Sequence, residues 1–199
     1  MDFSDLVLVD HRVKYPKEED VPLEPGIYAW FYDFNALRGL VPDKDKFIKE
    51  LASVAQRLRY PELDGSLRGQ FSERFKGHLE HRIDIPDNLL SSLFADQGLR
   101  DSFVSVLSAF TPLGNPIYIG ITESQTLRAR YRQHIKAYED ARKNPAADKS
   151  VLGARLFERD ISPRNLIFGC LPVTITGLRD VKMAETLLNR LFRPILGRR

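Results

Sequence analysis

The stretch PIYIGITESQTLRARYRQH, residues 116–134, changes its apolar period half-way along, and that change decides the fold. From Pro116 to Ile121 the side chains alternate. Tyr118 and Gly120 fall on one face and Ile117, Ile119 and Ile121 on the other, as in a strand entered through the turn-forming Gly114-Asn115-Pro116. Beyond it Leu127, Tyr131, Ile135 and Tyr138 recur at helical spacing, and Thr122, three residues before Gln125, has the form of a capping box. Arg130 and His134 are four residues apart on this helix. They therefore lie one turn above each other, at the edge of the stripe of Leu127, Tyr131 and Ile135, and can point at one site.

Upstream, GIYAWFY (residues 26–32) alternates in the same way, with Tyr28, Trp30 and Tyr32 on one face of a second strand. Downstream, NLIFGCLPV predicts a third strand near Asn165 to Val173, after a short helix from Ser150 to Asp160. A final helix capped by Asp180 turns Met183, Leu187, Leu188, Leu191 and Phe192 to a core and ends near Arg193, because Pro194 disfavours helix in the residue before it. The result is a small sheet covered by helices, in one domain spanning 1–199. Between the first two strands lies an insertion, 33–112, which reads as mainly helical: Lys44 to Arg59, Asp87 to Phe94 and Leu99 to Phe110. Lengthening a connection from about 10 to about 80 residues costs roughly 2 kcal/mol of closure entropy, so the sheet tolerates the insertion if it packs on something.

The composition, 43% hydrophobic and 29% charged with no repeat or low-complexity tract, is that of a folded globular chain. The first twenty residues have neither a basic start nor a long apolar run, and no apolar stretch is long enough for a membrane span, so neither a signal peptide nor a span is expected. Cys170, the single cysteine, sits in an apolar run and reads as a small buried hydrophobe; a reducing cytoplasm fits. The charge is unevenly divided. Residues 1–32 hold 3 Lys/Arg against 7 Asp/Glu, residues 33–112 hold 11 against 12, and residues 113–199 hold 16 against 8. The segment that carries Arg130 and His134 is thus the basic one, as a phosphate-binding surface would be.

Gly26-Ile27-Tyr28 and Tyr118-Ile119-Gly120, followed by the helix bearing Arg130 and His134, resemble the signature of the GIY-YIG nucleases. MAETLLNRLFRPILG resembles the family segment in which a metal-binding glutamate opens a helix that ends at a proline; Glu185 is that glutamate. The likeness covers residues 24–32 and 113–197 and leaves the insertion unexplained. It implies an α+β fold with a small three-stranded, mainly antiparallel sheet flanked by helices. It also implies a metal-dependent endonuclease with Tyr28, Tyr118, Arg130, His134 and Glu185 as catalytic residues.

In such a site Glu185 holds Mg²⁺ or Mn²⁺, Arg130 binds the scissile phosphate and Tyr118 orients water or phosphate. Tyr28 is the preferred general base, provided neighbouring cations lower its phenol pKa, and His134 is the rival. Arg128, Arg132 and Lys136, with Arg142 and Lys143 further along, are candidate contacts to the nucleic-acid backbone. DNA is the expected substrate and RNA stays open; a restriction or defence role fits, and a homodimer would bring one site to each strand. The family's asparagine position falls on Gly197, for which Asn189 is a conceivable substitute. That departure keeps two alternatives in view: a nucleic-acid-binding module without turnover and a protein-interaction module. His78 and His81 read as solvated or structural, with no second ligand pair near them in sequence.

Overall fold

The computed structural model describes residues 7–10, 18–58, 63–68, 74–79, 91, 94–111, 114–144, 150–172 and 181–197. Its strands are β1 (Val7–Asp10), β2 (Gly26–Tyr32), β3 (Leu63–Arg68), β4 (Arg74–Leu79), β5 (Tyr118–Thr122) and β6 (Leu166–Pro172). Its helices are α1 (Lys44–Arg57), α2 (Gln97–Phe110), α3 (Leu127–Lys143), α4 (Leu152–Glu158) and α5 (Val181–Phe192).

β2 is the middle of the three expected strands, and its alternation holds. Tyr28, Trp30 and Tyr32 are buried, while Ile27, Ala29 and Phe31 are half-buried on the opposite face. β5 and β6 pair with its two edges, both antiparallel, so that Tyr28 stands opposite Gly120 on one side and Cys170 on the other. The sheet is one strand larger than expected. β1 adds antiparallel to the free edge of β6, giving the order β1-β6-β2-β5. A four-residue strand is too short to show a period of its own; the open edge of β6 is what it pairs with.

α3 lies over the aromatic face of the sheet. Leu127 and Tyr131 are buried there, Tyr131 stacks on Trp30 at 5.8 Å between centroids, and Trp30 meets Phe168 of β6 edge-on at 4.9 Å. Burying each such side chain contributes roughly 1.5–3 kcal/mol. The expected capping box at Thr122 is corrected: Thr126 is the N-cap, its hydroxyl accepting from the Ala129 amide at 3.1 Å. Thr122 ends β5 instead and closes a turn with Gln125. α4 crosses α3 at Gly153, where a Cβ would collide with the main chain of His134, Ala137 and Tyr138.

The insertion packs on the sheet rather than standing apart, since Phe47, Val54, Phe94 and Val104 belong to the same buried cluster as Tyr28 and Trp30. Arg100 is buried in it and donates to the carbonyls of Val41, Phe94 and Ala95, tying α2 to the turn that precedes α1. The expectation of a mainly helical insertion needs one amendment, the antiparallel hairpin β3–β4. Its signal was present in LDGSLR, where Leu63, Gly65 and Leu67 alternate with polar residues. The helix expected over 87–94 falls mostly outside the described residues, as do His81 and the side chain of His78.

α5 packs against β5 and β2 with Leu188 on its inner side as expected, but the other four residues of the expected core stripe are turned outward. Ala184, Glu185, Leu188 and Asn189 form the half-buried side, whereas Met183, Leu187, Leu191 and Phe192 are 60%, 52%, 76% and 41% exposed. Apart from Leu188, the apolar stripe does not face the core. Past Phe192 the chain turns through Arg193, whose φ of 44° is left-handed, and the Leu196 amide then donates to Ile117 O at 2.8 Å. Among the described residues no helix is long and apolar enough to cross a membrane.

Candidate active site

Gly26-Ile27-Tyr28 and Tyr118-Ile119-Gly120 meet because β2 and β5 are neighbours in register. Both of their glycines are required by contacts. At Gly26 a Cβ would run into the Leu171 carbonyl of β6 and the Leu127 side chain of α3. At Gly120 it would lie 2.5 Å from the Tyr28 hydroxyl oxygen and 2.9 Å from the Tyr118 ring. The Tyr28 ring therefore lies over its cross-strand partner, and any larger residue at 120 would displace it.

Four of the five expected residues are in mutual reach. The Tyr28 hydroxyl is 2.8 Å from Nε2 of His134, and Arg130 Nε donates to the same hydroxyl at 3.2 Å. The Tyr118 ring is 6.0 Å from that of Tyr28 and 5.9 Å from that of His134. The four-residue step on α3 does what it predicts, since Arg130 and His134 reach one oxygen from successive turns. Glu185 is on the side of α5 that faces β5 and β2, the strands carrying the two tyrosines.

Burial sets the protonation states. It pushes the Tyr28 phenol well above the usual tyrosine range, Tyr118 adding to the shift and Arg130 opposing it. This corrects the expectation that neighbouring cations lower the Tyr28 pKa, because desolvation outweighs them. His134 is pushed down to about 3, first by burial and then by the charges of Arg130 and Arg155. At neutral pH the pair is thus a protonated phenol hydrogen-bonded to a neutral imidazole. Cys170, buried and raised to about 12 by its desolvation, is the small hydrophobe expected.

The chain matches no protein-family model, no curated protein and no solved structure in the three comparisons.

The basic residues divide. Arg128 is engaged by the fold, donating to the carbonyls of Val21 at 2.9 Å and Glu19 at 2.6 Å. Arg132, Lys136, Arg142 and Lys143 are exposed on α3. One cation was missed altogether: Arg155 of α4 stands over the Tyr118 ring, 5.5 Å from its centroid. Its signal was an arginine set between Ala154 and Leu156, both buried, in a short apolar helix. Asn189 stands beside Gly197, where a Cβ would lie 3.1 Å from its Oδ1. Its Nδ2 donates to the Glu185 carbonyl, and Oδ1 is buried with no hydrogen-bond partner among the described residues.

Among the described residues no three His, Cys, Asp or Glu side chains are grouped, so any metal ion held here would draw few of its ligands from the protein. The half-buried Glu185 would suit a hard cation that keeps most of its water shell.

Proposed function

We propose that the chain is a metal-dependent endonuclease that hydrolyses phosphodiester bonds in DNA. The observation that supports this is the convergence of Tyr28, Tyr118, Arg130 and His134 from β2, β5 and α3, with no carboxylate paired to the Arg130 guanidinium among the described residues. Phosphodiester cleavage needs a group to take a proton from water and a cation where charge grows on the phosphoryl oxygens, and the cluster has both.

Tyr28 and His134 act as one relay. Water gives its proton to the Tyr28 oxygen while the Tyr28 proton passes to Nε2 of His134. The water oxygen bonds to phosphorus, the bond to the leaving oxygen breaks, and that oxygen is protonated from solvent. A phenol held protonated by burial cannot act as a free phenolate, but it can hand its proton on to a neutral imidazole. Arg130 binds the phosphoryl oxygens, and Tyr118 orients water or phosphate. Glu185 would hold Mg²⁺ or Mn²⁺, which supplies Lewis-acid polarisation of the phosphate and relief of charge on the leaving oxygen. The exposed Arg132, Lys136, Arg142 and Lys143 contact the backbone, and the insertion 33–112 selects the substrate. A restriction or defence enzyme of the cytoplasm, cutting two strands as a homodimer, fits this arrangement.

A second reading, a binding module without turnover, is favoured by Gly197, which has no side chain where the resemblance implies an asparagine. One assay separates the two: linear, supercoiled and single-stranded DNA, and RNA, incubated with Mg²⁺ or Mn²⁺, with chelator, and with the Glu185→Ala and Arg130→Ala variants. Each substitution is expected to slow cleavage by about a hundredfold or more. Cleavage unchanged in both variants sinks the site, and binding without cleavage establishes the second reading.

A further inference from the structure

We infer that Arg155 is a positioning residue of the Tyr28–Tyr118–His134 cluster, acting through its charge from α4 and completing, with Arg130, a two-arginine cradle for a phosphodiester. The last clause rests on the nuclease reading; the first does not.

Three observations carry it. Arg155 is anchored over the cluster: its guanidinium lies 5.5 Å from the Tyr118 ring centroid, and Nη1 donates to the carbonyls of Leu196 and Gly197. Because the Leu196 amide is bonded to Ile117 O, this one side chain ties α4 both to the 194–197 turn and to the residue preceding Tyr118. The anchoring is built in by Gly153, two residues earlier, which lets α4 approach the main chain of α3 at His134 itself. Finally, the charge meets carbonyl oxygens and a ring rather than a carboxylate. Among the described residues no carboxylate pairs with Arg155, and its Nε is buried without a partner.

Burying part of a guanidinium without a counter-ion is unfavourable, and a neutral chain of similar length would pack in the same place without that penalty. The charge therefore has a use in the cluster. Among the described residues, the titratable and charged groups facing His134 are Tyr28 from β2, Tyr118 from β5, Arg130 from its own helix and Arg155 from α4. The two arginines both add to the burial that holds it neutral. They also flank Tyr118 and Tyr28 with positive charge from two different helices, which is the arrangement a monoanionic phosphodiester would fill.

Two variants separate charge from scaffolding. Arg155→Gln keeps a donor for the two carbonyls and loses the charge; Arg155→Lys keeps the charge and loses the fork. The readouts are the His134 ring titration by NMR, the thermal midpoint, and kcat and KM on DNA with Mg²⁺. Expected for Gln is a His134 midpoint at least about one pH unit higher and a kcat lower by about ten- to a hundredfold, with KM less affected. Lys should stay near the wild type in both. The proposal is overturned if Gln matches the wild type, or if Gln and Lys lose activity together in proportion to lost folded protein. Should the wild type cut no nucleic acid, the nuclease reading fails, and the His134 titration still decides the role of Arg155.

Discussion

Tyr28 and His134 are 106 residues apart in the chain and 2.8 Å apart at hydroxyl and Nε2, which makes each the other's buried hydrogen-bond partner. Removing either leaves a desolvated polar atom behind, at about 1–3 kcal/mol. If they act as one proton relay, Tyr28→Phe and His134→Gln should each lower kcat on the order of a hundredfold or more, and the double variant should lose little beyond either single one. Single-turnover cleavage of a defined duplex by the three proteins checks this. Additive losses in kcat would separate the two residues into independent roles.

His134 also makes stability depend on pH. Its folded pKa, about 3, lies below the ordinary 6.5, so between those values the unfolded chain binds a proton that the native protein does not. The contribution is fully present above pH ~6.5 and is lost as pH falls, with a slope of up to ~1.4 kcal/mol per pH unit. Urea midpoints of the wild type and His134→Gln at several pH values between 4 and 8 should converge toward low pH. Parallel curves would mean that His134 titrates normally in the native state.

Gly120 is needed because the Tyr28 ring occupies the space of its side chain. Gly120→Ala should cost about 1–3 kcal/mol and lower cleavage at least about tenfold by displacing the Tyr28 hydroxyl from Arg130 and His134. Gly39, with nothing within 4 Å of a Cβ, is the internal control: Gly39→Ala should be neutral or slightly stabilising. Chemical denaturation and the cleavage assay, run on both variants, distinguish a local clash from a general intolerance of alanine.

The outward stripe of α5 predicts a contrast within one residue type. Leu191→Gln, at a position 76% exposed, should change stability by no more than about 0.5 kcal/mol, whereas Leu127→Ala, fully buried under β2, should cost about 2–5 kcal/mol. Thermal or urea unfolding of the two variants measures this. A large loss for Leu191→Gln would mean that this face is covered in solution.

Much of the site was legible before any coordinates. Tyr28, Tyr118, Arg130 and His134 were singled out by the resemblance of Gly26-Ile27-Tyr28, Tyr118-Ile119-Gly120 and the helix after them to a known signature; the local periods of strand and helix added only which residues share a face and that Arg130 and His134 lie one turn apart. Arg155 was not found because its relation to Tyr118 spans 37 positions and depends on how closely α4 packs on α3 at Gly153. The hairpin β3–β4 was legible in LDGSLR and was passed over among helical patterns on either side of it.

What the amino-acid sequence by itself determined is the type and order of the elements around the site and the face of each that carries its polar residues. Tertiary structure alone decided three things: the strong desolvation that keeps Tyr28 protonated and His134 neutral, the side of α5 turned to the sheet, and the second arginine over Tyr118. The physical reason is the same for all three. Periodicity says which residues share a face, but burial and electrostatics depend on what that face meets, and the partners come from distant parts of the chain.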